Sequence, residues 1–218
     1  MSGTVVLSLI SRILSAQDKA NQTEAVSLRL DETASSWNDA VFNERLHGIS
    51  HYWKRHRYAR AFWLGGQTLK TAERQYGPFD LRTAKIILTL ARIRSSDGHL
   101  KASEDLYGRA LAIFRREKNP GALAGTLDEL ASLKEKEGQY PSAESLLQES
   151  LAIDRKTLKP DDADLWLGIN HLANLYEMQH QYSKAAPLLK ELVAFYEKTG
   201  HPMLENMKER YAFARKKS

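Results

Sequence analysis

The chain has 218 residues, 42% of them hydrophobic and 27% charged, and this composition is typical of a packed globular protein rather than a disordered one. It contains no cysteine, which excludes disulfide frameworks, thiolate zinc sites and a cysteine nucleophile. The net charge of +5 is concentrated in residues 45–94, which contain eleven Lys or Arg residues and two acids, Glu73 and Asp80. This part of the chain is therefore a candidate contact for an acidic partner.

The N-terminal segment, residues 1–36, begins with apolar residues at helical spacing and continues as a polar linker or loose helix. Arg12 interrupts the apolar stretch, which is too short to span a bilayer, so no transmembrane segment is predicted. An amphipathic helix is favoured, and a signal peptide over residues 1–16 is the alternative. We therefore expect a cytoplasmic protein, or a periplasmic or secreted one if that segment is cleaved.

The rest of the chain repeats itself. Leu130–Ile153 and Leu172–Phe195 align 42 residues apart, with matching apolar or small residues three and four positions apart in two blocks. A polar turn separates the blocks, so each unit is predicted to be a helical hairpin. Leu90–Phe114 follows the same template 40 residues earlier, and a more degenerate copy begins at Leu46. A period of this length is typical of a helical solenoid.

The repeats define a domain organisation in chain order. After the N-terminal segment, an array over residues 37–202 is predicted, followed by a C-terminal capping helix over residues 203–218. The individual repeats are expected near residues 42–78, 84–120, 124–162 and 166–202.

These residues resemble the tetratricopeptide repeat, and more narrowly its kinesin-light-chain-like subtype. The most faithful copy supplies the family's pattern with Ile169, Leu172, Ala173, Tyr176, Ala185 and Leu189, and with Leu192 in place of a small residue. Lys134 and Arg94 stand where the two preceding copies should carry the aromatic residue. The resemblance implies an all-α, right-handed superhelical solenoid of about four hairpins with a C-terminal capping helix.

The same resemblance implies a concave groove whose wall is built by the first helices. Carried over to this sequence, the groove residues are Asn43, Ser50, Trp53, Lys54, Lys85, Arg92, Asp128, Ser132, Glu135, Asn170, Asn174 and Glu177. Asn170 and Asn174 are one turn apart, so both amides could bond to one ligand backbone, while Lys85 and Arg92 could hold carboxylates. The competing interpretation of each residue is an exposed polar position on a helix.

The groove predicts a non-catalytic scaffold or adaptor that binds a peptide or protein segment, with an acidic segment as one option. No phosphate loop, dinucleotide fingerprint or nucleophile elbow is present, so no enzyme activity and no cofactor are expected. Glu44, His47 and His51 could share one helix face as a metal site, but the HExxH arrangement is missing and exposed histidines are favoured. The oligomeric state is not indicated.

Residues 51–63, HYWKRHRYARAFW, mix basic and aromatic side chains. This combination can bind single-stranded nucleic acid or an anionic surface, which is the alternative function. Packing of the aromatic residues beside a solvated basic face explains the same residues more simply, so nucleic acid is the less favoured partner.

Overall fold

The computed structural model describes residues 37–218, so the predictions for residues 1–36 lie outside the described residues. The described chain is helical apart from its turns, which confirms the predicted all-α class. Its helices are α1 (Asp39–Lys54), α2 (Tyr58–Tyr76), α3 (Leu81–Ser96), α4 (Leu100–Arg116), α5 (Pro120–Lys136), α6 (Tyr140–Thr157), α7 (Ala163–Met178), α8 (Tyr182–Thr199) and α9 (Leu204–Lys217). Over residues 37–218, none of these helices is long and apolar enough to cross a membrane.

The chain divides into two compact units. The first ends at Gly77 and contains the hairpin α1–α2. The second begins at Pro78 and contains the hairpins α3–α4, α5–α6 and α7–α8, followed by α9. Within the second unit successive helices pack against each other, as expected for a solenoid in which each repeat contacts its neighbours.

The first helix of every hairpin begins with a side-chain cap. The capping residues are Asn38, Asp80, Asn119 and Asp162, whose side-chain oxygens accept a backbone N–H at 2.8 to 3.1 Å. Such caps satisfy one of the four unpaired N–H groups at a helix start. Each second helix follows a tight turn and has no side-chain cap, since its cap residue is Arg57, His99, Gln139 or Gln181 and none of these is a short polar residue that caps well.

That turn is the same in all four hairpins of residues 37–218. Its central residue has a positive φ and is His56, Gly98, Gly138 or His180, with φ between 56° and 79°. The residue after it donates its N–H to a carbonyl five positions earlier at 2.8 to 3.0 Å, which is the hydrogen bond of a Schellman motif. Glycine adopts this conformation without strain, and the two histidines each share a hydrogen bond with the tyrosine two positions on, at 2.7 Å and 3.0 Å.

Small residues hold the two helices of a hairpin close together. Ala131 and Ala173 on first helices are fully buried, as are Ala143 and Ala185 on the second helices that they face. In the hairpin α3–α4 the equivalent second-helix residue is Ser103, whose hydroxyl donates to the Ala91 carbonyl at 2.7 Å. The serine is therefore satisfied although it is buried.

Lys134 replaces the aromatic residue of the repeat pattern and is nevertheless buried. Its ammonium group lies 2.7 Å from a Glu104 carboxylate oxygen and 3.1 Å from Glu137. In the next hairpin the Tyr176 hydroxyl donates at 3.1 Å to Glu144, which stands 40 residues after Glu104. Burial alone would lower the pKa of Lys134, but the two glutamates outweigh it and raise the pKa. The lysine thus takes the place of the tyrosine by reaching an equivalent carboxylate.

Candidate functional site

The predicted groove residues lie on the first helices α1, α3, α5 and α7. Four are on α1 in the first unit, where Asn43 and Lys54 are exposed and Ser50 and Trp53 are half-buried. The remaining eight are on α3, α5 and α7 in the second unit, with Lys85 and Asn174 exposed and the others half-buried. The structure places the two sets in separate units.

In the second unit, Arg92 is already paired. Its guanidinium donates to both carboxylate oxygens of Glu129 on the next first helix, with Nε 2.7 Å from Oε2, and the Tyr107 hydroxyl donates to the same carboxylate at 3.1 Å. Glu129 raises the pKa of Arg92, and burial raises the pKa of Tyr107. The charge of Arg92 is therefore compensated within the protein, and Lys85 is left as the exposed cation on α3.

A second contact links α5 to α7. His171 Nε2 lies 2.8 Å from a Glu135 carboxylate oxygen, and both residues are half-buried. Asp128, on the same helix as Glu135, has a raised pKa, mainly because burial disfavours its charged form. Glu135 therefore contributes to the contact between repeats as well as to a surface.

A third contact links α7 to α9 and involves three predicted groove residues at once. Arg210 donates from Nη1 to the Asn170 side-chain oxygen at 3.0 Å and from Nε to Glu177 at 3.1 Å. Its Nη2 donates to the side-chain oxygen of Asn174 and to Glu177. Because a guanidinium has no acceptor, both amide oxygens must face Arg210, which fixes the orientation of the two amides.

Glu129, His171 and Arg210 form an inner polar ladder, since each contacts the first helix before its own. They recur at intervals of 42 and 39 residues, which is the repeat period. The sequence prediction missed them because they differ in residue type, whereas the repeat is recognised from its apolar positions.

The spacing of the repeats also shows that α9 is equivalent to the first helix of a further hairpin. Its buried Met207 stands 39 residues after the buried Gly168 of α7.

Two exposed apolar residues flank the asparagines on α7. Leu167 is 64% exposed and Met178 is 57% exposed, although most large hydrophobic residues of the helix are buried. Leu167, Asn170, Asn174 and Met178 are spaced by three or four residues, so they share one face of the helix. This face combines amide donors with accessible apolar surface, which suits contact with a polypeptide.

The possible metal site of α1 gains no structural support. Among the described residues, no group of three His, Asp or Glu side chains is arranged to hold a metal ion. Glu44, His47 and His51 are all exposed on α1.

Comparison with known proteins agrees with this architecture. Residues 123–198 match the tetratricopeptide repeat family, and no curated protein matches the chain. A kinesin light chain from Podosopora anserina with nearly identical TPR-like repeats is 22% identical with a TM-score of 0.69, over 80% of this chain and 85% of that one. BtubC (BKLC) from P. vanneervenii is 17% identical with a TM-score of 0.70, over 91% and 80%. The apo form of RapI is 15% identical with a TM-score of 0.71, over 97% of this chain and 56% of that chain.

The class defined by this fold is a solenoid of helical hairpins. Residues 123–198 match the tetratricopeptide repeat family, and the chain has the fold of the TPR-like repeats of kinesin light chain. Proteins with this repeat fold are in general non-catalytic interaction scaffolds with protein partners.

Proposed function

We propose that this chain is a non-catalytic adaptor that binds an extended segment of a partner protein along the first helices of its second unit. The observation that carries the proposal is the contact of Arg210 with the side-chain oxygens of Asn170 and Asn174. With both oxygens held, each amide keeps two N–H donors, and neither amide nitrogen donates to another described residue.

The spacing of these donors suits an extended backbone. Asn170 and Asn174 are about 6 Å apart along the helix axis, at 1.5 Å per residue. Carbonyl groups on one side of an extended chain recur about every 6.6 Å. The two amides can therefore donate to alternate carbonyls of one segment, with Leu167 and Met178 in contact with its side chains. Recognition of this kind depends mainly on the backbone and tolerates several ligand sequences.

Other predicted groove residues also belong to the proposed binding surface, but some have a different role from the one predicted from the sequence. Because Arg92 is paired with Glu129, it orders the wall between repeats, and Lys85 is the cation available to an acidic side chain of the ligand. Asp128, Ser132 and Glu135 would line the middle of the same face. The four predicted groove residues on α1 belong to the first unit and are not part of this surface.

The first test uses the exposed amide of Asn174. Proteins that co-purify with the chain from its native host are quantified by mass spectrometry for the wild type, for Asn174→Ala and for the control Asn206→Ala, which removes an exposed amide from α9. We expect a partner to be lost selectively with Asn174→Ala, by about fivefold to tenfold if one backbone hydrogen bond is removed. Equal recovery with both folded variants would place the binding surface elsewhere.

A further inference from the structure

The first unit presents a surface that the proposed groove does not use. Helix α2 carries a stripe formed by exposed Trp63, Lys70 and Arg74 and by half-buried Arg60 and Gln67, which we call the basic stripe. At 100° per residue these positions fall within about 80° of the helix circumference. The buried residues of α2 lie on another face, so the stripe is a surface and not part of the core.

The charge of this region is strongly one-sided. In residues 37–77 there are seven Lys or Arg residues and three acids, and Glu73 is the single acid of α2. Lys70 and Arg74 are exposed, and neither forms an ion pair within the described part of the chain. The last residue of α1 and the turn before α2 add the exposed side chains of Lys54, Arg55 and Arg57. The second unit, in contrast, pairs its inner cations Arg92 and Arg210 with glutamates.

The aromatic residues of the same region are mostly engaged within the protein. The Arg60 guanidinium lies 5.4 Å from the centre of the Tyr52 ring, and Tyr58 is hydrogen-bonded to His56. Trp63 differs, because 47% of its surface is exposed in the middle of the stripe. One exposed ring is a poor platform for successive nucleic-acid bases, whereas a tryptophan among charges is typical of a protein-binding hot spot.

We propose that the basic stripe is a second protein-binding surface, whose partner is an acidic amphipathic helix. The stripe from Arg60 to Arg74 is about 21 Å long, at 1.5 Å per residue. A helix with Glu or Asp at every third or fourth position presents carboxylates at the same spacing, and an apolar residue between them would cover Trp63. This surface shares no residue with the asparagine face on α7, so a negative result for one proposal does not contradict the other.

The test measures fluorescence anisotropy of a labelled peptide of about 20 residues, built from Glu and Ala with a central Leu, on titration with the full chain. The variant is Lys70→Glu/Arg74→Glu. Its control is Lys190→Glu/Lys156→Glu, which makes the same change in net charge on α8 and α6 in the second unit. Lys190 is mid-helix like Lys70, and Lys156 is in a last helical turn like Arg74. Circular dichroism establishes that both variants are folded.

We expect the stripe variant to lose at least about tenfold in affinity at about 50 mM salt, and the control less than about threefold. Trp63→Gln should lower the affinity for this peptide by about threefold to tenfold, but not the affinity for the same peptide with Ala in place of Leu. Equal losses in stripe and control variants would overturn the proposal, because they would show attraction to net charge alone. Tighter, stripe-dependent binding of a single-stranded oligonucleotide with the same charge would also overturn it, in favour of a nucleic-acid site.

Discussion

Asp154 on α6 is a carboxyl group with 7% of its surface exposed. Burial raises its pKa to about 6, and the negative charges of Asp128, Asp164 and Asp162 act in the same direction. The folded protein therefore holds the Asp154 proton more tightly than the unfolded chain, in which an aspartate has a pKa of about 3.9. The resulting stabilisation is complete below about pH 4 and is lost as the pH rises through about 6.

Asp154→Asn should remove this dependence, because the amide stays neutral at every pH. We expect the variant to exceed the wild type in free energy of unfolding by about 1 to 2 kcal/mol at pH 7.5, with the difference shrinking towards zero near pH 4. Urea unfolding at several pH values measures this directly. Asp161→Asn, which removes one negative charge from an exposed position before α7, serves as the control. A constant difference between Asp154→Asn and the wild type would contradict the assignment.

At the scale of one helix, α7 shows how the repeat pattern becomes packing. Leu172 is 4% exposed and lies in the core between repeats, whereas Leu167, five positions earlier on the same helix, is 64% exposed. Both residues are leucines on the same helix, and they differ in burial. Replacing each of them with alanine therefore measures what burial contributes to the free energy of unfolding.

Leu172→Ala should therefore lower the free energy of unfolding by about 2 to 5 kcal/mol, because it leaves a cavity between packed helices. Leu167→Ala should change it by less than about 0.5 kcal/mol, as expected for a surface substitution. Chemical denaturation of both variants tests the pair together. A loss of less than about 1 kcal/mol for Leu172→Ala would mean that the register of α7 is wrong.

The sequence predicted the apolar face of such helices but not their polar contacts. The apolar and small positions recur with the same residue types, so the family resemblance identified Leu172 and Ala173 directly. The pairing partners of the groove residues come from other helices 33 to 40 residues away, as for Arg210 with Glu177 and Asn170. Side-chain type at those positions is not conserved from repeat to repeat within this chain, so periodicity could not indicate the contacts.

At the scale of the whole molecule, stability in a repeat array is a sum of local terms and interfaces between neighbours. The terminal helix α9 has a neighbouring repeat on one side within the described chain, and it is held by its buried Met207 and Ala214 and by Arg210. We therefore expect α9 to open locally more easily than the central hairpin α5–α6.

Arg210→Ala should make this local opening easier by about 1 to 3 kcal/mol, because it removes charge-assisted hydrogen bonds to α7. Native-state hydrogen exchange should show a loss of protection in the amides of α9, with the amides of α5 and α6 unchanged. Arg215→Ala is the matched control, since Arg215 is exposed on the same helix without an ion pair to another described residue. Equal protection of α9 in the wild type and Arg210→Ala would show that apolar packing alone holds the helix.

The inner polar ladder also determines the order in which the hairpins of the second unit can follow one another. Each junction has a different pair of partners, with Arg92 facing Glu129 at one and Glu135 facing His171 at the next. Removing the hairpin α5–α6 would bring His171 next to Arg92, so that a carboxylate would no longer compensate the arginine. The three hairpins have similar cores but are not interchangeable modules, and the array cannot be shortened by one repeat without redesigning a junction.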